Sequence, residues 1–250
     1  MNPFSNEYFQ LELANFCVPE KTLGNAKIIK KDVYGRIEGY MYRDLDELLD
    51  IPVLYVDGQL WMSITPMEVQ STYMPIVLAE GVVGTGGLGI GYFVQRVLDK
   101  PEVDEVIVYE TNKDVIALYL DNFGEHPKLE IRNYDMRKMN DQEFDFLFVD
   151  LYKHQLDDNI FKDMALFGEH HLIGQYHFWT QEMAMWELAQ AGYGDTIPRH
   201  WRETYRTFFN AFKRSDKYHL QQITGAGELL YKDLQKHGII SGDGCHWFGL

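Results

Sequence analysis

Between residues 81 and 178 the apolar positions gather into short, nearly continuous runs: GVVGT, VDEVIVYE, KLEIRNYD, FDFLFVDLY and HHLIGQYHFW. The stretches between them, YFVQRVLDK, KDVIALYLDNF and NIFKDMALF, carry apolar residues at helical spacing. Strands and helices in alternation predict a parallel sheet built from βαβ units. Upstream the pattern differs. AKIIKKDVYG, RIEGYMYRD and PVLYVDGQLWMSI read as strands punctuated by turns, and Asp57-Gly58 suits a tight hairpin. Downstream, TQEMAMWELAQAG, PRHWRETYRTFFNAFKR and GELLYKDLQKHG read as helices in a segment that holds four of the five tryptophans. The expected organisation is a small β-rich region over residues 1–65, a Rossmann-like doubly wound α/β sheet over 66–178, and a helical, aromatic-rich segment over 179–250 packed on the same domain.

Open α/β sheets bind ligands at the carboxyl ends of their strands, so Thr85 to Gly91, Glu110, Asp135 and Asp150 are expected to converge on one crevice. The glycine run fits two patterns. Gly84-Thr85-Gly86-Gly87-Leu88-Gly89 is a literal G-x-G-x-x-G, the dinucleotide fingerprint, whereas Gly87, Gly89 and Gly91 give the G-x-G-x-G of folds that bind S-adenosylmethionine. Either way, glycines let the backbone approach a ligand, and the helix that follows offers free N–H groups. Glu110, closing the second strand, can accept both hydroxyls of a ribose under either pattern. Asp135 could accept from an adenine amine, and Asp150 could face the cationic end of a cofactor or the nucleophile. The plainer alternatives make Asp135 a turn residue and Asp150 a cap before a helix.

Composition narrows the partners. A formal charge of −15 argues against a sequence-independent grip on phosphate backbones. Arg199, Arg202, Arg206, Lys213 and Arg214 form a local basic patch, read as the solvated face of a helix. Cys17 and Cys245 make no C-x-x-C, which fits a reducing, cytoplasmic setting. The opening residues lack the basic and apolar regions of a signal peptide, and no apolar run is long enough to cross a membrane. The histidines, His170, His171, His177, His200, His219 and His246 among them, match no standard metal-binding frame, so no metal is expected. His177, after the last strand, is the one expected to line the pocket.

The segment from Leu54 to Ile116, with its D-G hairpin, following helix, glycine loop, Pro101 and strand ending at Glu110, resembles the spermidine-synthase-like branch of the class I S-adenosylmethionine-dependent transferases. The resemblance covers about residues 54 to 152. It implies the class I methyltransferase type of fold, with S-adenosylmethionine or its decarboxylated form as cofactor. It places the cofactor loop on Gly87, Gly89 and Gly91, and the cofactor's other contacts on Glu110, Thr111, Asp135 and Met136. Three departures argue against a polyamine substrate. Ile90 stands where the aminopropyltransferase loop has an acid. The helix ahead of the first strand of the sheet carries Gln70-Ser71-Thr72 or Ser71-Thr72-Tyr73 in place of a triplet ending in glutamate. Lys153 replaces the second acid of a D-x-x-D that begins at Asp150.

Methyl transfer to a small molecule or a protein is therefore the expected activity, with Asp150 and Tyr152 as candidates for orienting or deprotonating the nucleophile. In the plainer alternative Tyr152 packs against the adenine. D-L-Y after the fourth strand is not the D/N-P-P-Y of exocyclic-amine DNA methyltransferases, and no Pro-Cys nucleophile is present. An aminopropyltransferase with altered amine contacts, a non-catalytic cofactor-binding protein and, more weakly, a nicotinamide oxidoreductase are the competing readings. A homodimer is left open.

Overall fold

A computed structural model describes residues 2–40, 42–214, 225–241 and 244–245; His219 and His246 lie outside them, as does the side chain of Cys245. The chain opens with a helix, α1 (Asn6–Asn15), capped by Ser5, whose hydroxyl accepts from the Tyr8 N–H. Its sequence lacks the one-sided apolar spacing that marks a surface helix. Tertiary contacts hold it instead: Tyr8 and Phe9 are buried, and so is Glu12, which accepts from the Tyr92 hydroxyl at 2.7 Å and pairs with Arg96 at 2.9 Å.

Strands β1 (Lys21–Leu23), β2 (Ala26–Gly39), β3 (Tyr42–Val56) and β4 (Gln59–Ser63) form an antiparallel sheet in chain order. Between β3 and β4, Asp57 (φ 52°) and Gly58 (φ 75°) both take the left-handed backbone that a two-residue hairpin of this hand requires. Two short helices follow, α2 (Pro66–Ser71) and α3 (Tyr73–Leu78), and lead into the second sheet.

That sheet contains β5 (Gly81–Gly86), β6 (Val103–Tyr109), β7 (Leu129–Arg132), β8 (Gln142–Val149) and β9 (His171–Phe178), all neighbours parallel, in the order β7-β6-β5-β8-β9. Helices α4 (Tyr92–Leu98), α5 (Lys113–Phe123) and α6 (Ile160–His170) are the crossovers. Strand β8 shows why its apolar run is continuous. Phe146 and Phe148 point into a core shared with α1, the antiparallel sheet, α4 and α5, while Leu147 and Val149 point into a second core on the other side. The second core is filled by α6, α7 (Gln181–Gln190), α8 (Arg199–Thr204), α9 (Arg206–Lys213) and α10 (Gly227–Lys236), with Trp186 and Trp201 buried among them. No helix among the described residues is long and apolar enough to cross a membrane.

The chain adds strands in one direction as far as β7 and then restarts on the other side of β5. The reversal places a crevice between the ends of β5 and β8, where such sheets take their ligands.

Candidate functional site

Strand β5 runs straight into the loop at Gly87–Gly91, so Gly84-Thr85-Gly86 is strand and the second glycine pattern describes the loop. Gly87, Gly89 and Gly91 all have left-handed backbones, with φ of 94°, 55° and 94°. Space forbids side chains there as well. A Cβ on Gly87 would run into the carbonyl oxygen of Asp150, one on Gly89 into the Met62 sulfur, and one on Gly91 into the Tyr119 ring. The loop is tied to both neighbouring strands: the Gly87 N–H donates to the Tyr109 carbonyl at 2.9 Å, and the Asp150 N–H to the Gly86 carbonyl at 3.0 Å. Ile90 is buried, and its N–H donates to Met62 Sδ at 3.0 Å.

Beside this loop lies a cavity of about 300 Å³. Thr85, Gly87, Leu88 and Gly89 line it on the loop side, Met62 and Glu68 on the N-terminal side, and Asp150 to Lys153 on the side of β8. Aromatic faces of Trp61, Tyr92, Phe93, Phe148 and Trp179 close much of the remainder. Two carboxyl groups therefore share an aromatic-lined space. Burial raises the pKa of Asp150 to about 7, and burial together with the nearby Asp150 charge holds Glu68 well above the ordinary carboxylate range. Neither carboxyl group accepts a hydrogen bond from the described residues. A cation entering beside such a pair favours its ionised form, so the cavity is complementary to positive charge.

The nine residues expected to hold the cofactor or carry the chemistry fall into two groups. Gly87, Gly89, Asp150 and Tyr152 line the cavity. Gly91, Glu110, Thr111, Asp135 and Met136 stand at the same edge of the sheet but outside the cavity wall, so the expected single crevice is a cavity with an adjoining shelf. On the shelf Glu110 is already oriented: Oε2 accepts from the Leu88 N–H at 3.2 Å and Oε1 from the Asn112 N–H at 2.7 Å. Each oxygen retains a lone pair for a further donor. Asn133 Nδ2 donates to the Glu110 and Thr111 carbonyls and so joins the ends of β6 and β7. Asp135 caps a turn of 3₁₀ helix, accepting from the Arg137 N–H at 3.1 Å, and Met136 is buried beneath Gly86. The Tyr152 ring borders the cavity, while its hydroxyl is buried towards Tyr176 and Asp163 and held strongly in the neutral form.

Glu68 was not singled out by its sequence context. Thr65-Pro66-Met67-Glu68 has the spacing of a capping box, which would turn this glutamate back onto its own helix. The Thr65 side chain makes no such cap, and Glu68 projects into the cavity. The available signal was an acid two residues ahead of Gln70-Ser71-Thr72 on the same predicted helix.

His177 does not line the cavity, contrary to expectation. It lies within β9 rather than after it and is fully buried, with Nδ1 2.6 Å from the Tyr205 hydroxyl and Nε2 3.7 Å from Glu182 Oε1. Tyr40 reaches the same cluster, donating from its hydroxyl to Glu182 Oε2 at 2.9 Å and accepting from the Met183 N–H at 3.1 Å. Burial pushes Glu182 up to about 8 and His177 down to about 3. Between pH 4.5 and 8 the folded chain thus holds a proton on Glu182 that the unfolded chain releases, and stability falls as pH rises through that window. His177 acts only below pH 6.5 and with the opposite sign. Asp150 and Glu68 slope the same way as Glu182. Glu182→Gln should therefore flatten the decline in urea midpoint between pH 6.5 and 8 without abolishing it; an unchanged slope would show that Glu182 is ionised throughout.

No protein-family model matches the chain, nor does any curated protein. Solved structures do. Spermidine synthase from Thermotoga maritima aligns over 61% of this chain and 56% of its own at 18% identity, TM-score 0.38. Trm5b from Pyrococcus abyssi aligns over 74% and 56% at 15% identity, TM-score 0.39. An S-adenosylmethionine-dependent methyltransferase from Clostridium acetobutylicum aligns over 44% and 48% at 15% identity, TM-score 0.33. The chain thus spans a little over half the length of the spermidine synthase. Its five parallel strands, ordered with the glycine-loop strand at the centre, form a Rossmann-like doubly wound sheet.

Proposed function

We propose that the chain is an S-adenosylmethionine-dependent methyltransferase whose acceptor binds in the cavity between Glu68 and Asp150. The observation that carries this reading is the acidic, aromatic-walled cavity opening directly on a loop of three left-handed glycines. The residues present fit the cofactor. Glu110 is oriented to take ribose hydroxyls, Asp135 stands beyond it while Met136 packs beneath Gly86, and the carboxyl pair and aromatic faces suit a cationic centre. When bound, S-adenosylmethionine supplies a methyl group activated by the sulfonium charge. The protein's share is positioning: the loop sets the depth of approach, Phe148 and Trp179 exclude water, and Asp150 removes a proton from the acceptor nucleophile. Its raised pKa suits a base working near neutral pH. Calorimetric titration should show binding of both S-adenosylmethionine and S-adenosylhomocysteine, and no heat with either would remove this reading.

Glu68 favours a second reading. It returns a carboxylate to the helix ahead of β5, where the aminopropyltransferase pattern needs one, although its position is different. That reading requires decarboxylated S-adenosylmethionine to bind more tightly than the carboxylated form.

A further inference from the structure

The cavity is polarised along its length. At its inner end Glu68 is 8% exposed and Asp150 follows the last residue of β8. At its mouth Lys153 is exposed, with its ammonium 5.6 Å from the centre of the Trp61 ring. Trp61 is itself 52% exposed and Leu60 beside it 60%, so both present open apolar faces on the same rim. Among the described residues Lys153 has no acidic partner. Its ammonium is therefore available to a carboxylate that enters at the mouth.

Each end selects a charge. An ammonium entering the inner end allows both carboxyl groups to ionise, whereas a carboxylate there would add a third acid to a desolvated pair. At the mouth the preference is reversed: a carboxylate meets the Lys153 ammonium, and a second ammonium is repelled. Two residues, Leu151 and Tyr152, separate Asp150 from Lys153, so three steps along the chain limit the backbone span to about 10 Å. A short unbranched chain bridges that distance with its methylene groups against Trp61 and Leu60.

We propose that the acceptor is a zwitterion, an ω-amino acid or a molecule ending in one, with its amine held by Glu68 and Asp150 and its carboxylate by Lys153. This rests on the cofactor reading above, which reserves the glycine loop and the Glu110 shelf for S-adenosylmethionine. Three ligand series test it by calorimetry: ω-amino acids of three to six carbons, the α,ω-diamines of equal length, and the matching unbranched carboxylic acids. Each is titrated with and without saturating S-adenosylhomocysteine, into the unaltered chain and into Lys153→Glu. At least one ω-amino acid should bind about tenfold or more tighter than its diamine and its acid. Lys153→Glu should reverse the preference between amino acid and diamine and leave S-adenosylhomocysteine affinity unchanged. The proposal is overturned if the diamines bind as well as the amino acids, or if Lys153→Glu leaves the preference intact. It is equally overturned if that substitution weakens S-adenosylhomocysteine, since Lys153 would then hold the cofactor's own carboxylate. Failure of the cofactor reading looks different: S-adenosylhomocysteine gives no heat, while the order among the three series can still be measured.

Discussion

Asp150→Asn should lower the rate of methyl transfer by about 10²–10⁴-fold, the usual contribution of a positioned general base, with little change in S-adenosylhomocysteine affinity. The asymmetry follows from the site. The Asp150 backbone N–H, which ties β8 to the loop through Gly86, is untouched by the substitution, so the loop keeps its shape. What disappears is the group that takes the acceptor's proton. The unaltered chain should also gain activity as pH rises through about 7, where Asp150 loses its own proton. Glu68→Gln should leave that rise near the same pH, because burial alone raises Asp150 and Glu68, held higher still, keeps its proton while Asp150 loses its own. An Asp150→Asn variant with a third or more of normal turnover would remove Asp150 as the base. A variant that loses S-adenosylhomocysteine binding as well would assign Asp150 to the cofactor.

Gly87→Ala should damage both the fold and the site. Two separate penalties apply: a left-handed backbone at φ 94°, and a methyl group driven into the Asp150 carbonyl. Gly192 separates them, since it has nearly the same backbone, φ 90°, with nothing within 4 Å of its added Cβ. Gly192→Ala should cost about 1–2 kcal/mol, the usual penalty for a side chain in this region. For a chain of this size that is a fall in Tm of about 2–8 °C, at about 2–4 °C per kcal/mol. Gly87→Ala should exceed it clearly and abolish S-adenosylhomocysteine binding. Equal losses in the two variants would mean that the loop moves aside freely and that contact with Asp150 is unimportant.

The parallel sheet was legible because strands covered on both faces leave unbroken apolar runs, as FDFLFV does. The loop register was legible only through the family resemblance, which, set on Pro101 and Glu110, places the glycines of the loop at Gly87, Gly89 and Gly91. What escaped was whatever depends on distant partners. Helix α1 has no amphipathic signature because Glu12, a charged residue, is its buried anchor on Tyr92 and Arg96. Glu68 resembles a cap until the fold aims it elsewhere. His177 reads as a site residue if the last strand ends before it, yet it belongs to β9 and its ring packs into the cluster formed with Tyr205 and Glu182.

The position of β5 has a consequence for how the protein acquires its site. Its partners lie far apart in sequence: Val83 is registered with Val106 on one side and with Phe146 on the other. The first pairing closes early, the second only after the rest of the βα units have formed, and such non-local closures are the slow steps of folding. Because Gly87 is shaped against the backbone of Asp150, the glycine loop has no fixed form until β8 docks. Under the proposed function, cofactor affinity is therefore absent from any partly folded state that lacks β8, and added cofactor should select for chains in which the last central strand is in place.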